Sequence, residues 1–399
     1  MTINERIACM WLGHIKTFRL GDVSKLLSYY GTAENVYDRL HSSKELENLV
    51  NRKIIKESTK EEIESINIED WYSHLQENMS RKNIKCTTPA DPDYPSRLLD
   101  IPDFPVTLYY RGDISMTEEN NILGMVGSRR PTHYGMLMAE EFASELSRKG
   151  FVIVSGMAMG IDSISHRNAM DKGGRTVAVL GGGVDICYPR TNFDIYDTIC
   201  KEQLIMSEYE PGVEHLPVHF PARNRIISGL SDGLLVVEAA LRSGTLITAD
   251  YALDQGRSIY AVPGRNTDIM SKGTNGLIRQ GAMLVDSPAD ILMDMLQTDL
   301  TRELSDRTRS ISEGTDNINE GNLHRSDEKF NKSDVKLLTQ TQQKLLGMMG
   351  YEPIYIDDLI RANDMKISET IHELKELEKM ELVVCLEQSY FMLKRRRIV

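Results

Sequence analysis

Residues 122–154 read ILGMVGSRRPTHYGMLMAEEFASELSRKGFVIV. The first five residues form a short apolar run of strand length, and the last four form another. Between them Met138, Phe142 and Leu146 fall on one helical stripe, with Ala139 and Ala143 beside it, and Gly150 closes the helix. Strand, glycine turn, helix, strand is the building unit of a doubly wound, mostly parallel α/β sheet.

The pattern continues on the C-terminal side. TVAVL (176–180), LIM (204–206), GLLVVEA (233–239), SIYAV (258–262) and AMLV (282–285) are short runs rich in Val, Ile and Leu. Such runs suit strands buried on both faces. Upstream, residues 89–113 are rich in proline and predict an extended connector, with VTLYYRG (106–112) as an edge strand. The sheet domain therefore covers residues 85–297.

Two further regions flank it. Residues 1–84 predict a small helical domain, in which Leu26, Leu27, Tyr30, Val36, Tyr37 and Leu40 surround a break at Gly31. A helix-hairpin-helix or SAM-like module fits this pattern, and so does a small bundle with no binding role. Residues 298–336 are polar, poor in aromatics and aperiodic, and predict a disordered linker. Residues 337–399 predict three helical stretches and a β-ribbon, the layout of a winged helix, followed by the basic run at 394–397.

The chain of 399 residues carries a net charge of −12, which argues against nucleic-acid binding by bulk positive potential. Residues 120–290, however, hold 16 Lys and Arg against 19 acidic residues, so a local basic groove stays open there. The five cysteines are scattered without a CxxC pair. That predicts a reducing, cytoplasmic setting with neither a disulfide framework nor a zinc site. No apolar run reaches about 18 residues and the N-terminus is a poor signal peptide, so no membrane association is expected.

Ligands of a parallel sheet bind beyond the carboxyl ends of its strands. After ILGMV stand Gly127, Ser128 and Arg129; after FVIV stand Ser155, Gly156 and Gly160, with Asp162 as a helix cap. After TVAVL stand Gly181, Gly182 and Gly183, with Arg190 and Asn192 just beyond. Ser243, Gly244 and Thr245 follow GLLVVEA, and Asn275 lies in the segment after SIYAV. Glycines let a backbone approach a ligand, helix N-termini favour anions, and arginine forks match phosphate oxygens. Each loop alone is weak; together they predict an extended anion groove along one rim.

Other chemistries fit poorly. GSRRPTHYG (127–135) is not GxGxxG, and no P-loop lysine follows a strand, so no nucleotide cofactor is expected. His133, His166, His215 and His219 lack a ligand spacing, so no metal is expected. Asp162, Asp185 and Glu238 serve equally well as cleft acids or as caps and ion-pair partners.

The stretches GMVGSRRPTHYG (124–135), VSGMAMGIDSISHRNAM (154–170), TVAVLGGGVDICYPRTN (176–192), FPARNRIISGLSDGLLVVEAALRSGTLITA (220–249) and SIYAVPGRNTDIMSKGTNGLIRQGA (258–282) come in a telling order. Together they resemble the motif series of the DNA-processing protein A family (DprA, also called Smf), over residues 94–292. The resemblance implies a Rossmann-like domain that binds single-stranded DNA, dimerises and helps load RecA recombinase during natural transformation, without known catalysis. It points to Gly127, Ser128 and Arg129, to Arg190 as the basic residue of a Tyr-Pro-basic-x-Asn motif, and to Arg223, Asn224 and Arg225. Because the latter precede a strand, Arg223 and Arg225 serve either DNA or the folding and dimer of the protein. The chain departs from the family at Met159, where an arginine is usual. Two other readings stand beside this one: an N-glycosidic hydrolase of nucleotides using Glu238, although its Pro-Gly-Gly-x-Gly-Thr core is absent, and a winged-helix transcriptional regulator.

Overall fold

The computed structural model describes residues 2–295, 339–348, 354–356, 359–360, 367–379, 383–386 and 390–393. The chain divides into two compact units, Met1–Met293 and Asp294–Val399. The expected linker at 298–336 and the basic run at 394–397 lie outside the described residues.

The first unit opens with α1 (Glu5–His14), α2 (Asp22–Tyr30), α3 (Ala33–Leu40), α4 (Ser43–Asn51), α5 (Glu57–Ser65) and α6 (Ile68–Arg81). Gly31, at φ +89°, breaks α2 from α3, and Thr32 caps α3 by accepting a bond from Asn35 N. Trp11, Leu12, Leu26, Val36, Leu40, Leu46 and Leu49 share one core, which Val106 of the connector also enters. The boundary expected at 84/85 thus falls inside one compact unit.

The sheet strands are β1 (Lys85–Thr87), β2 (Leu108–Gly112), β3 (Ile122–Val126), β4 (Val152–Ser155), β5 (Arg175–Val179), β6 (Leu204–Ser207), β7 (Gly233–Val236), β8 (Ser258–Ala261) and β9 (Met283–Leu284). Their order is β1-β2-β6-β5-β4-β3-β7-β8-β9. From β6 to β9 every pairing is parallel, with Ile122 opposite Val152 and Leu123 opposite Gly233. The connections carry α7 (Ser96–Leu99) ahead of β2, then α8 (His133–Arg148), α9 (Ile161–Asp171), α10 (Phe193–Glu202), α11 (His219–Leu230), α12 (Gly244–Asp254) and α13 (Lys272–Arg279). The fold is the α/β, Rossmann-like doubly wound sheet. Ile122, Val126, Val152, Val154, Val177, Val179, Leu234 and Val236 are buried at its centre.

The topology locates the ligand side. From β3 the chain winds outward through β4, β5 and β6, then crosses back to the other flank of β3 as β7, β8 and β9. The winding direction reverses between β3 and β7, which opens a crevice at their carboxyl ends.

Two elements differ from the sequence expectation. β2 is not the edge: the three-residue β1 pairs with it antiparallel and takes the outer position. KCT is too short to leave a periodic signal. Arg223, Asn224 and Arg225, read only as preceding a strand, lie within α11, residues 219–230. Pro221 sits in its first turn, where a missing N–H costs nothing. From Arg225 to Leu230 every side is buried, so the helix shows no apolar stripe to read.

In the second unit the helices Gln340–Met348 and Ile367–Lys379 accompany an antiparallel sheet in which Tyr390–Leu393 lies between Ile354–Tyr355 and Val383–Leu386. These are elements that a winged helix contains. Residues 361–366 and 380–382 lie outside the described residues. Among the described residues, no helix is long and apolar enough to cross a membrane.

Candidate nucleic-acid interface

The turn after β3 stands at the crevice. Ser128 is buried; its Oγ accepts a 3.0 Å bond from Arg130 N, and its carbonyl accepts Ile161 N at 3.1 Å. Gly160 takes φ +79°, and a Cβ there would lie 2.3 Å from the Ser128 carbonyl oxygen. The turns after β3 and β4 can approach this closely only with glycine at that position. Thr132 caps α8 by accepting Gly135 N at 3.2 Å. With Ser128 turned inward, Arg129 and Arg130 stand exposed.

The Arg129 guanidinium lies 5.3 Å from the centroid of the Phe220 ring, within cation–π range. Tyr188, 46% exposed, stacks on His215 at 5.2 Å and meets Phe220 at 5.6 Å. Burial lowers the His215 pKa, which favours a neutral ring. These side chains, with Gly156, Ala158, Met159, Leu180, Gly181 and Pro189, line one cleft beyond β3, β4 and β5. Arg190 stands exposed just after it, with no side-chain partner among the described residues.

Beneath the cleft the loops are held from inside. Arg223 is 4% exposed; Nη1 donates to the Gly156 carbonyl at 2.7 Å and to the Val179 carbonyl, and Nε donates to Asn224 Oδ1 at 3.1 Å. Burial pulls its pKa down to about 10, with the nearby Asp162 opposing that shift, so it remains cationic at neutral pH. Asp162 accepts Gly156 N at 3.2 Å and Ala158 N at 3.3 Å. Burial raises its pKa against the opposing pull of Arg223. Asn192 donates to the Met157 and Ala158 carbonyls at 2.9 and 3.2 Å, holding Met157 at φ +60°. Ser155 Oγ donates to the Met125 carbonyl at 2.7 Å.

Arg223 and Arg225, two positions apart, leave α11 on opposite faces. Arg225 is buried with Nη2 2.6 Å from Glu208 Oε1 and Nε 2.8 Å from the Asp103 carbonyl, tying the connector to the end of β6. Both arginines therefore spend their donors inside the protein, Arg223 under the cleft and Arg225 away from it. Gly181 accepts His219 Nδ1 at 3.1 Å, and Gly182 packs against the His215 ring.

Across the crevice, Ser243 caps α12, and Thr245 Oγ1 donates to the Gly127 carbonyl at 3.1 Å. The turns after β3 and β7 are thereby tied together, with Gly244 exposed between them. Asn275 grips Gly264 through both its N–H and its carbonyl, at 3.2 and 2.9 Å. Glu238 is 2% exposed and accepts both Thr132 N, at 2.9 Å, and Thr132 Oγ1. It caps the helix that follows β3. Asp185 lies 2.5 Å from Lys82 Nζ and accepts Gly212 N at 2.8 Å. Among the described residues, no group of three or more His, Cys, Asp or Glu is placed to hold a metal.

The model of the DNA recombination-mediator protein A family matches residues 85–296, the whole sheet domain and more than half of the chain. The chain belongs to this family. It is 40% identical to the DNA processing protein DprA of Bacillus subtilis (strain 168) over 231 residues, which is 57% of this chain and 78% of that one. It is 43% identical to the DprA of Streptococcus pneumoniae (strain ATCC BAA-255 / R6) over 204 residues, 51% and 72% of the two chains. Among solved structures, S. pneumoniae DprA superposes with a TM-score of 0.61 at 34% identity, covering 73% of this chain and 98% of that one. DNA processing protein A from Helicobacter pylori, a structure described for its single-stranded DNA binding mode, gives 0.50 at 30% identity, covering 54% and 96%.

Within the DprA/Smf family frame, Gly127-Ser128-Arg129 forms the turn at the switch point. Met159 is 44% exposed and lines the cleft with Tyr188, so this position gives the cleft apolar surface. The sequence did not single out Tyr188, Phe220 or Arg130. Tyr188 and Phe220 each lie within a quoted motif, but only the crossing of α11 back over β5 brings the two rings together.

Proposed function

We propose that this chain is a single-stranded DNA-binding recombination mediator that holds its ligand without covalent catalysis. One observation carries the reading: an exposed arginine, Arg129, lies over an aromatic floor of Phe220, Tyr188 and His215, with Arg190 beside it. Single-strand binders combine these two features, cations that track the backbone and rings on which bases stack. Gly127, Ser128, Gly156, Gly160 and Gly181 shape the groove, while Ser155, Asn192, Arg223 and Asn224 hold its walls. Membership of the DprA/Smf family and the single-stranded DNA binding mode described for the H. pylori relative support the same reading.

The family also supports the biological setting: protection of incoming DNA and loading of RecA during natural transformation, by a cytoplasmic homodimer. The acids that a hydrolase would need are already engaged. Glu238 holds Thr132, and Asp162 holds the amides of Gly156 and Ala158.

Anisotropy titration of labelled single strands and duplexes of equal length, over a salt series, tests the proposal. The single strand is expected to bind more tightly, with affinity falling as salt rises. In parallel, nucleoside monophosphates are incubated with the protein and assayed for free base. Base release that Glu238→Gln abolishes would replace the proposal with the hydrolase reading.

A further inference from the structure

The arginines of the sheet domain sort by partner. Arg97, Arg148, Arg167, Arg175 and Arg225 are paired with carboxylates. Arg111, Arg223 and Arg257 give their donors to other protein groups. Arg130, Arg190, Arg242, Arg265 and Arg279 are exposed without an ion pair or side-chain hydrogen bond among the described residues, and Arg129 has the Phe220 ring and the longer-range pull of buried Asp162. In a chain with net charge −12, such unpaired arginines are unlike their paired neighbours.

Their placement is one-sided. Arg129 and Arg130 follow β3, Arg190 follows β5, Arg242 follows β7 and Arg265 follows β8. All stand in segments beyond the carboxyl ends of strands; only Arg279, at the end of α13, lies elsewhere. The strands concerned run β5-β4-β3-β7-β8 in the sheet, so at about 4.8 Å per spacing the arginines span roughly 19 Å.

We propose that the phosphate track does not end at the aromatic cleft. It crosses the switch point and continues over Arg242 and Arg265, so that a longer strand is gripped on both flanks of β3. This rests on the single-strand reading above and adds a second half to its site.

The turns that carry these two arginines are fixed in advance. Ser243 and Thr245 lock the Arg242 turn to the Gly127 carbonyl, and Asn275 pins Gly264 next to Arg265. Asp268, three residues beyond Arg265, accepts Thr267 Oγ1 at 3.4 Å and makes no ion pair with Arg265 among the described residues. Ser243, Thr245 and Asn275 act here as positioning residues, and the arginines beside them supply the charge. Loops held in place beforehand lose little freedom when a strand binds.

The test uses the full-length protein and oligo-dT of two lengths, about 4 and about 16 nucleotides, the range of single-strand-binding site sizes. The variants are R129Q, the double R242Q/R265Q and the charge-retaining double R242K/R265K. Each phosphate contact contributes about 0.7 to the slope of log affinity against log salt. R242Q/R265Q is expected to lower the slope on the long oligonucleotide by about 1.4, to lower it by less on the short one, and to be rescued in R242K/R265K. R129Q is expected to weaken both lengths. If R129Q weakens binding while R242Q/R265Q leaves the long-strand slope at its wild-type value, the second half of the track is wrong and the cleft stands. If R129Q changes nothing, the single-strand reading itself fails. A change of oligomeric state in R242Q/R265Q with DNA binding intact would assign these arginines to a protein interface and overturn the proposal.

Discussion

Arg223 lies directly beneath Gly156. Its Nη1 donates to the Gly156 carbonyl at 2.7 Å, and a Cβ on Gly156 would lie 2.4 Å from Nη2. The arginine therefore supports the floor of the cleft while Arg129, in the turn after β3, faces solvent. Replacing Arg223 with Met strands the Gly156 and Val179 carbonyls and leaves the buried Asp162 without its nearest cation. A loss of roughly 3 kcal/mol or more in unfolding free energy is expected. Urea denaturation measures it, and a stability equal to wild type would show that the floor does not need this side chain. Arg129→Gln, at an exposed position, should leave the unfolding midpoint within the usual surface range of about 0.5 kcal/mol.

Tyr188 and Phe220 form the stacking surface of the cleft. Removing either ring is expected to cost about 1–3 kcal/mol of single-strand affinity. The salt slope should not change, because no phosphate contact is lost. Parallel salt series on Tyr188→Ala and Phe220→Ala separate the two effects. A reduced slope with little loss of affinity would mean that the rings position arginines instead of bases.

His166 adds a pH dependence that has nothing to do with DNA. It is fully buried on α9, with Nδ1 2.7 Å from Thr176 Oγ1, whose own proton goes to the Ile153 carbonyl. Nδ1 must then be the donor, leaving Nε2 buried without a partner. Burial, with Arg223 nearby, pulls its pKa from 6.5 down to about 3. In the unfolded chain the ring takes up a proton below about 6.5, whereas in the folded protein it does not. Stability is therefore lost as pH falls from about 6.5 toward 3, at on the order of 1 kcal/mol per pH unit. Urea melts between pH 7.5 and 5 should show a shallower pH slope in His166→Gln than in wild type. Identical slopes would locate the acid sensitivity elsewhere.

Much of this architecture is legible in the sequence. The strands β3 to β9 announce themselves as apolar runs, and their spacing fixes the parallel sheet and hence the rim where ligands meet it. The arginine helix α11 is not legible. It is buried all round, so its helical period leaves no trace, and the two arginines on opposite faces read as one basic motif. The site was legible by loop and not by side chain. Ser243, Thr245, Asn192 and Asn275 stand in segments beyond the strand ends, yet their polar atoms hold backbone in place. Tyr188 and Phe220, 32 residues apart in the sequence, meet only because the chain crosses from β5 through β6 to α11. No local pattern encodes that meeting.

Arg129 tests the central claim most directly. Anisotropy titration of Arg129→Glu and wild type with the same single-stranded oligonucleotide, over a salt series, reads both affinity and the number of phosphate contacts. The variant should fold normally, bind at least tenfold more weakly at low salt (a loss of about 1.4 kcal/mol) and lose about 0.7 from the salt slope. Affinity and slope equal to wild type would contradict a phosphate-binding rim at the switch point.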